Sequence, residues 1–473
     1  MKKTVLFLST MLWLALSGMT ASAQSLNENA LLYHSLRSPI STQLNPALFP
    51  NNSRWYVTLP HFEAGFGLPM SYKDLGLEYD AARDVTVLDL NHLLDVLEQN
   101  GNNISISSNI ELLGFGFKVA DKLHFFASTG LRVSSNINVP FNDLKLLTEG
   151  NSGENHSLVI GDAKVFDAQT YLHVSGGAAY DFSVIPLTVG ARANLLIGAE
   201  IVSAENMTIN LTTAADNSSL TATSDYLMRM AGLAYLKERT DDSQNPFDFD
   251  YTLGMPGNLG FTFDLGAKYS FKGFDFSFSL LDVGPGIHWK DNPMILTPKN
   301  KDASITFDGL ELSSVISGGE LDTSFISNLK DSLFNMIDYE SEAGDFWYGV
   351  PTRIYLGASY TLFDLIRVGY LFHGEWSKGV FYGNNNFRCN NTLSAHLSLF
   401  DWFELSLANS LTFDGGKSSF FNPGISASLN LGKVFQLYAG VDYVSSLYAT
   451  DIKSARVFFG ASLVGFAPKK LKL

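Results

Sequence analysis

Nine histidines, one cysteine and 47 acidic residues are the raw material for chemistry in this 473-residue chain. A nucleophile needs a base within reach, and a metal site needs clustered ligands. No Gly-x-Ser-x-Gly occurs, the histidines are dispersed, and Gly114-Phe115-Gly116 lacks the third glycine of a phosphate loop. His173 and His396 fall on polar phases of their segments and read as ordinary interior residues. Cys389 stands alone, so no internal disulfide can form. A pattern does exist among the charged residues. Lys118, Arg132, Arg192, Asp264, Lys268, Asp275, Arg353, Arg367, Glu404, Asp442 and Arg456 each occupy the polar phase of a segment whose alternate residues are apolar. Such groups can line a solute path, or pair with one another and fill an interior. Mixed signs favour pairing, because a pore selective for one ion sign would show one sign dominating. The expected chemistry is non-enzymatic, with no metal and no cofactor.

The segments that position these charges have a two-beat rhythm. Ile425, Ala427, Leu429 and Leu431 alternate with polar residues, the chain turns at Gly432-Lys433, and Phe435, Leu437, Ala439, Val441 and Tyr443 resume the alternation. A polar stretch follows before Ala455, Val457, Phe459, Ala461 and Leu463. Successive strand side chains point to opposite faces, so each run has one greasy side and one polar side. Short turns alternating with long connections are the signature of a closed antiparallel transmembrane barrel.

Fourteen strands are predicted: 54–66, 104–119, 123–135, 169–181, 187–198, 259–271, 274–289, 348–360, 365–375, 392–400, 403–411, 424–431, 435–443 and 455–466. These runs match or exceed the roughly 9 to 11 residues that cross a bilayer at a tilt. The even count puts both termini on the periplasmic side. The hairpin Asn206–Leu227 reads as an extension of a strand pair above the membrane. Val87, Leu88, Leu90, Leu93, Leu94 and Leu97 suggest a helical patch, and Phe325–Ile337 an amphipathic helix.

Lys2 and Lys3 before the uncharged run Val5–Leu16, with Ala21-Ser22-Ala23 after it, predict a signal peptide over residues 1–23. An N-terminal periplasmic or lumenal segment (24–53), the barrel (54–466) and a basic tail (467–473) follow. Forty-six per cent hydrophobic and 13% aromatic residues suit strands that are greasy on one face only. Without Lys2 and Lys3 the balance is 30 basic against 47 acidic residues. That excess of acid excludes a nucleic-acid partner, which would require a basic surface. Paired aromatics at strand ends, such as Trp55-Tyr56, Trp347-Tyr348 and Trp402-Phe403, fit interfacial girdles.

Asn45-Pro46-Ala47, Gly257-Asn258-Leu259-Gly260 leading to Asp264-Leu265-Gly266 and Tyr269, Leu281-Asp282-Val283-Gly284, Pro351–Tyr360 and Gly424–Asp442 together resemble a family of outer-membrane barrels of unknown function from Bacteroidota bacteria. That family is similar to the long-chain fatty acid transporter superfamily and to the PorV-type barrels of the type IX secretion system. The resemblance covers essentially the whole mature chain. It implies fourteen strands and an N-terminal segment tucked into the lumen, and it transfers no ligand-binding residue. Two roles are expected from it and from the architecture. One is passage of hydrophobic or small solutes across a Gram-negative outer membrane, with membrane lipid and a hydrophobic small molecule as partners. The other is a docking barrel for a secretion or surface-assembly machine.

Overall fold

The computed structural model describes residues 30–466, apart from single turn positions, a few pairs and the stretches 81–83, 139–156, 161–165, 215–219, 237–248, 252–256, 300–304, 308–338 and 383–386. The signal peptide, the basic tail and the helix expected at Phe325–Ile337 lie outside the described residues.

Fourteen strands close into one antiparallel barrel. They are β1 (Ser53–Gly67), β2 (Asn103–Val119), β3 (Leu123–Asn138), β4 (Phe166–Asp181), β5 (Leu187–Thr213), β6 (Asn258–Phe271) and β7 (Phe274–Trp289). The second half comprises β8 (Thr352–Leu362), β9 (Ile366–Trp376), β10 (Phe387–Leu399), β11 (Phe403–Asp414), β12 (Pro423–Leu431), β13 (Phe435–Asp442) and β14 (Ser454–Phe466). Each strand pairs with the next, and β1 pairs with β14 from Ser53↔Phe466 to Gly67↔Ser454. A closed ring leaves no edge, so backbone donors and acceptors are used within the sheet.

Alternation decides which residues face in. On β6 the exposure pattern strictly alternates over Asn258–Leu265, with Leu259, Phe261, Phe263 and Leu265 about half exposed while Asn258, Thr262 and Asp264 are fully buried. Val368, Leu393, Leu407, Ile425, Val457 and Phe459 extend the same apolar exterior around the ring. A soluble protein would put those side chains inside; on β6 the buried residues are instead polar or glycine.

The Asn206–Leu227 hairpin follows expectation, and two other places depart from it. β5 runs on to Thr213 and pairs with the strand Leu220–Gly232, so the Asn206–Leu227 hairpin is an extension of the barrel wall. The strand expected over 348–360 is broken. Phe346–Tyr348 pairs with the end of β7, and β8 starts afresh at Thr352. Pro351 has no N–H for the ladder. Asp282 and Gly286, opposite the break, take positive φ values of 57° and 79°. The helical patch begins only at Leu90, because the Asp89 carboxylate accepts the Asn91 and His92 N–H groups at 3.0 and 3.2 Å and starts the helix there. Val87 and Leu88 belong to the short strand Val85–Leu88 instead.

Two short helices, α1 (Ala30–Tyr33) and α2 (Ser41–Leu44), lie inside the ring. Leu31, Leu32, Tyr33, Ile40 and Leu44 pack against Leu281, Tyr355, Leu371, Ala408, Tyr438 and Phe458 of the wall. The helix Leu90–Asn100 (α3) lies in the connection after β1.

Ring closure has a direct test. With Cys389→Ser as background, Val57→Cys with Leu463→Cys across the β1–β14 seam is expected to form an intramolecular disulfide, as Ile425→Cys with Val441→Cys should between consecutive strands. Denaturing gel mobility reports both. A crosslink in the control pair and none at the seam would show an open sheet.

Candidate functional site

The site is the barrel interior together with the segment 30–51 that stoppers it. The segment enters at the end carrying the short turns, where Phe49 packs against Tyr56 and His124 at ring separations of 5.1 and 4.8 Å and Lys118 lies over the Phe49 ring at 5.0 Å.

Asn45 is its main polar anchor. Its amide donates to Tyr33 Oη and to the Phe278 carbonyl at 3.1 Å each and to the Ala267 carbonyl at 3.4 Å, while its Oδ1 accepts the Ala47 N–H at 2.9 Å. Two wall glycines make room. A Cβ on Gly190 would lie 2.5 Å from the Pro46 carbonyl oxygen, and one on Gly266 would collide with Asn45 Oδ1. Further contacts fix the helices: Ser279 Oγ donates to the Leu44 carbonyl at 2.7 Å, Ser35 Oγ to Glu404 at 3.0 Å, and Tyr33 Oη to Ser277 Oγ at 3.1 Å. His34 Nε2 sits 3.2 Å from the Tyr370 carbonyl. Burial, with the Arg367 charge adding to it, pushes the His34 imidazole down to about 3.

The charged residues singled out in the sequence are gathered into a few groups. Arg192 Nε donates to Asp264 at 2.6 Å, and its other nitrogens reach the segment's Thr42 and Gln43 carbonyls at 3.2 and 2.9 Å and Gln43 Oε1 at 2.9 Å. Asp264 also accepts from Asn194 at 3.0 Å and from the Asp282 N–H at 2.6 Å. Arg132 (2.9 Å) and Arg353 both donate to one oxygen of Asp282. Since β4, β5 and β6 lie between β3 and β7, the Arg132–Asp282 pair reaches across the lumen. Asp275 takes Arg367, with Lys268 at 3.8 Å, beside a cavity of about 20 Å³ lined in part by Tyr33, His34 and Phe49. That volume holds one water molecule. Arg456 pairs with Glu63 at 3.1 Å and lies cross-strand from Asp442, which is fully buried. Lys118 lies at the turn-side mouth, over the Phe49 ring.

A clasp spans the opposite mouth. Lys378 Nζ lies 2.6 Å from Glu205 Oε1, which belongs to a carboxylate also held by Arg229, and 4.7 Å from the Tyr348 ring centroid. Tyr348 Oη donates to Asp167 at 2.6 Å.

Sequence reasoning missed Asp282, Glu63 and the contacts of Tyr33, His34 and Asn45. Asp282 was hidden because its left-handed backbone turns two consecutive residues, Leu281 and Asp282, inward and so breaks the alternation. The Asp-Val-Gly-Pro-Gly run after Leu281 was the available signal of a bulge there. Among the described residues no cluster of three or more metal-type ligands occurs.

Fold and interior together define a stoppered β-barrel with a polar lumen. Residues 46–442 match the model of a family of unknown function, DUF5723, and the chain belongs to that family. No curated protein matches the sequence. Among solved structures it is similar to a Pseudomonas aeruginosa FadL homologue (9% identity, TM-score 0.44, covering 95% of this chain and 100% of that one). It is also similar to the Ralstonia pickettii toluene transporter TbuX (10%, 0.40, 91% and 94%) and to the translocator domain of the Neisseria meningitidis autotransporter NalP (9%, 0.30, 92% and 97%).

Two outcomes follow from this geometry. Asp282→Leu would leave two buried guanidinium groups without their carboxylate and is expected to lower stability by about 3–5 kcal/mol. Arg353→Met should cost less, since Arg132 still neutralises Asp282; urea unfolding in vesicles measures both, and a near-wild-type Asp282→Leu would refute the network's role. The second outcome concerns pH. A released His34 takes up a proton near 6.5 and the docked one near 3, so docking is strongest above pH 6.5 and weakens as pH falls towards 3. Between pH 7 and 4.5 the loss is about 1–3 kcal/mol, read as rising protease access to the segment, and His34→Leu should flatten the profile.

Proposed function

We propose that the protein resides in a Gram-negative outer membrane and passes small solutes, hydrophobic or polar, through a lumen that the segment 30–51 stoppers. The observation that supports this best is the inversion of burial: a continuous apolar exterior around a closed ring whose interior is polar. In water such an exterior would be an aggregation surface, and in a bilayer it meets hydrocarbon. Outward-pointing lysines and arginines would cost roughly 2–4 kcal/mol each near the bilayer midplane, and Arg192, Arg353, Arg367 and Arg456 of the wall are instead buried.

The stopper is held in a way that allows release. Its polar contacts are many but individually exchangeable with water, each worth about 0.5–1.5 kcal/mol net. Passage therefore requires partial displacement of a short segment while the wall stays intact.

Purified mature protein reconstituted into liposomes tests the reading by osmotic swelling. Asn45→Ala removes the amide anchor and is expected to raise the swelling rate about tenfold, the shift that loss of about 1.4 kcal/mol from the docked state produces. A protein that stays monomeric in water without detergent would overturn the membrane assignment. A loosened stopper with no rise in permeability to any solute would overturn passage.

A further inference from the structure

Three inward side chains stand out on the wall beside α1. His373 on β9 and Asn390 on β10 are direct cross-strand partners, 1% and 0% exposed. Among the described residues neither ring nitrogen of His373 and neither amide atom of Asn390 has a hydrogen-bond partner. Glu375, two residues along the same inward face from His373, has a buried Oε2 in the same condition. Alternation fixes their direction: Val368 on β9 and Leu393 on β10 face out, so the odd positions of β9 and the even positions of β10 face the lumen.

Their surroundings define a small station. His373 stacks on Tyr355 at 4.5 Å, and Tyr355 stacks on Tyr33 of the stopper at 5.5 Å. Arg353, Glu375, Glu63 and Arg456 are the charged groups close enough to act on Tyr355, so the wall opposite β9 contributes through β1 and β14. Arg353 shares Asp282 with Arg132 and Arg456 pairs with Glu63, while Glu375 keeps the unpartnered oxygen.

We propose that this station binds small uncharged polyols as they traverse the lumen, their hydroxyls completing the hydrogen bonds of His373, Asn390 and Glu375. The proposal rests on the passage reading and names its solute class. The groups to be satisfied include donors and acceptors side by side, Nδ2 and Oδ1 of Asn390, one of each on a neutral imidazole, and a carboxylate oxygen. A hydroxyl both donates and accepts, so a chain of hydroxyls serves all of them. A hydrocarbon would leave them all unpaired. An anionic solute would find Arg353 and Arg456 already engaged by Asp282 and Glu63.

The test uses full-length mature protein in liposomes, with the native stopper and with Asn45→Ala. Entry of sorbitol, corrected for that into protein-free liposomes, is compared with that of sodium glutamate. Sorbitol is expected to enter faster than glutamate. His373→Phe with Asn390→Leu should slow sorbitol about tenfold, as loss of one or two net hydrogen bonds predicts. Should the double variant fail to fold, as judged by its gel mobility with and without heating, Asn390→Leu alone carries the comparison. Sorbitol entry unchanged by the substitutions, or glutamate outrunning sorbitol in the parent, overturns the polyol station and leaves passage standing. Failure of both solutes to enter either form faster than they enter protein-free liposomes overturns passage and the station together.

Discussion

The pairing of β1 with β14 is the interaction on which the rest depends. It runs from Ser53↔Phe466 to Gly67↔Ser454 with register shifts between Ser53 and Trp55 and between Thr58 and His61, and it turns a sheet with two edges into a ring with none. Backbone groups then need no water along the wall, which is the condition for placing strands in hydrocarbon. Closure also divides every strand into an inside and an outside set. Apolar residues on the outside need only a greasy solvent. Charged residues on the inside are confined and must find partners across a space they cannot leave.

That confinement explains the form of the interior. Asp264 and Asp282 sit on neighbouring strands and are joined by the Asp282 N–H donating to Asp264. Through them, Arg192, Arg132 and Arg353 from three other strands converge on one patch of wall. Burying this many charges is favourable only when each keeps its partners, since an isolated one would carry the full desolvation penalty. The network therefore specifies an arrangement more than it adds stability. The left-handed backbone at Asp282 belongs to the same economy of space, because it lets that carboxylate turn inward at the residue where strict alternation would send it to the exterior.

Much of this was legible in the sequence, and the reason is the period of two. A strand that separates lipid from a polar lumen must alternate, so the fourteen-stranded ring could be read from side-chain type alone. The reading failed where the period fails. At 349–351 a proline and a glycine interrupt the ladder, so the strand expected over 348–360 is two. At Asp282 a bulge conceals the residue that organises two of the predicted arginines. The stopper's contacts were beyond reach for another reason: Asn45 lies 222 residues from Ala267 and 233 from Phe278, and no local pattern encodes partners that closure alone brings together. Gly190 and Gly266 read as ordinary strand glycines until the Asn45-Pro46-Ala47 turn is seen lying against them.

The stopper is held by two kinds of contact with different consequences. Its hydrogen bonds, from Asn45, Gln43, Ser35 and Tyr33, fix where it sits, yet water replaces them at modest net cost once it moves. Its apolar contacts, Leu31, Ile40 and Leu44 against Leu281, Leu371 and Phe458, have no such substitute, because fully burying each side chain is worth about 1.5–3 kcal/mol. Removing the whole segment would expose that cluster to a polar lumen, which is unfavourable. Shifting the part that carries Gln43 and Asn45, while α1 and Ile40 keep their apolar seat, would expose only Leu44 of that cluster. The composition of the segment thus favours a hinged opening over expulsion, with the Asn45 end moving and the Leu31 end retained.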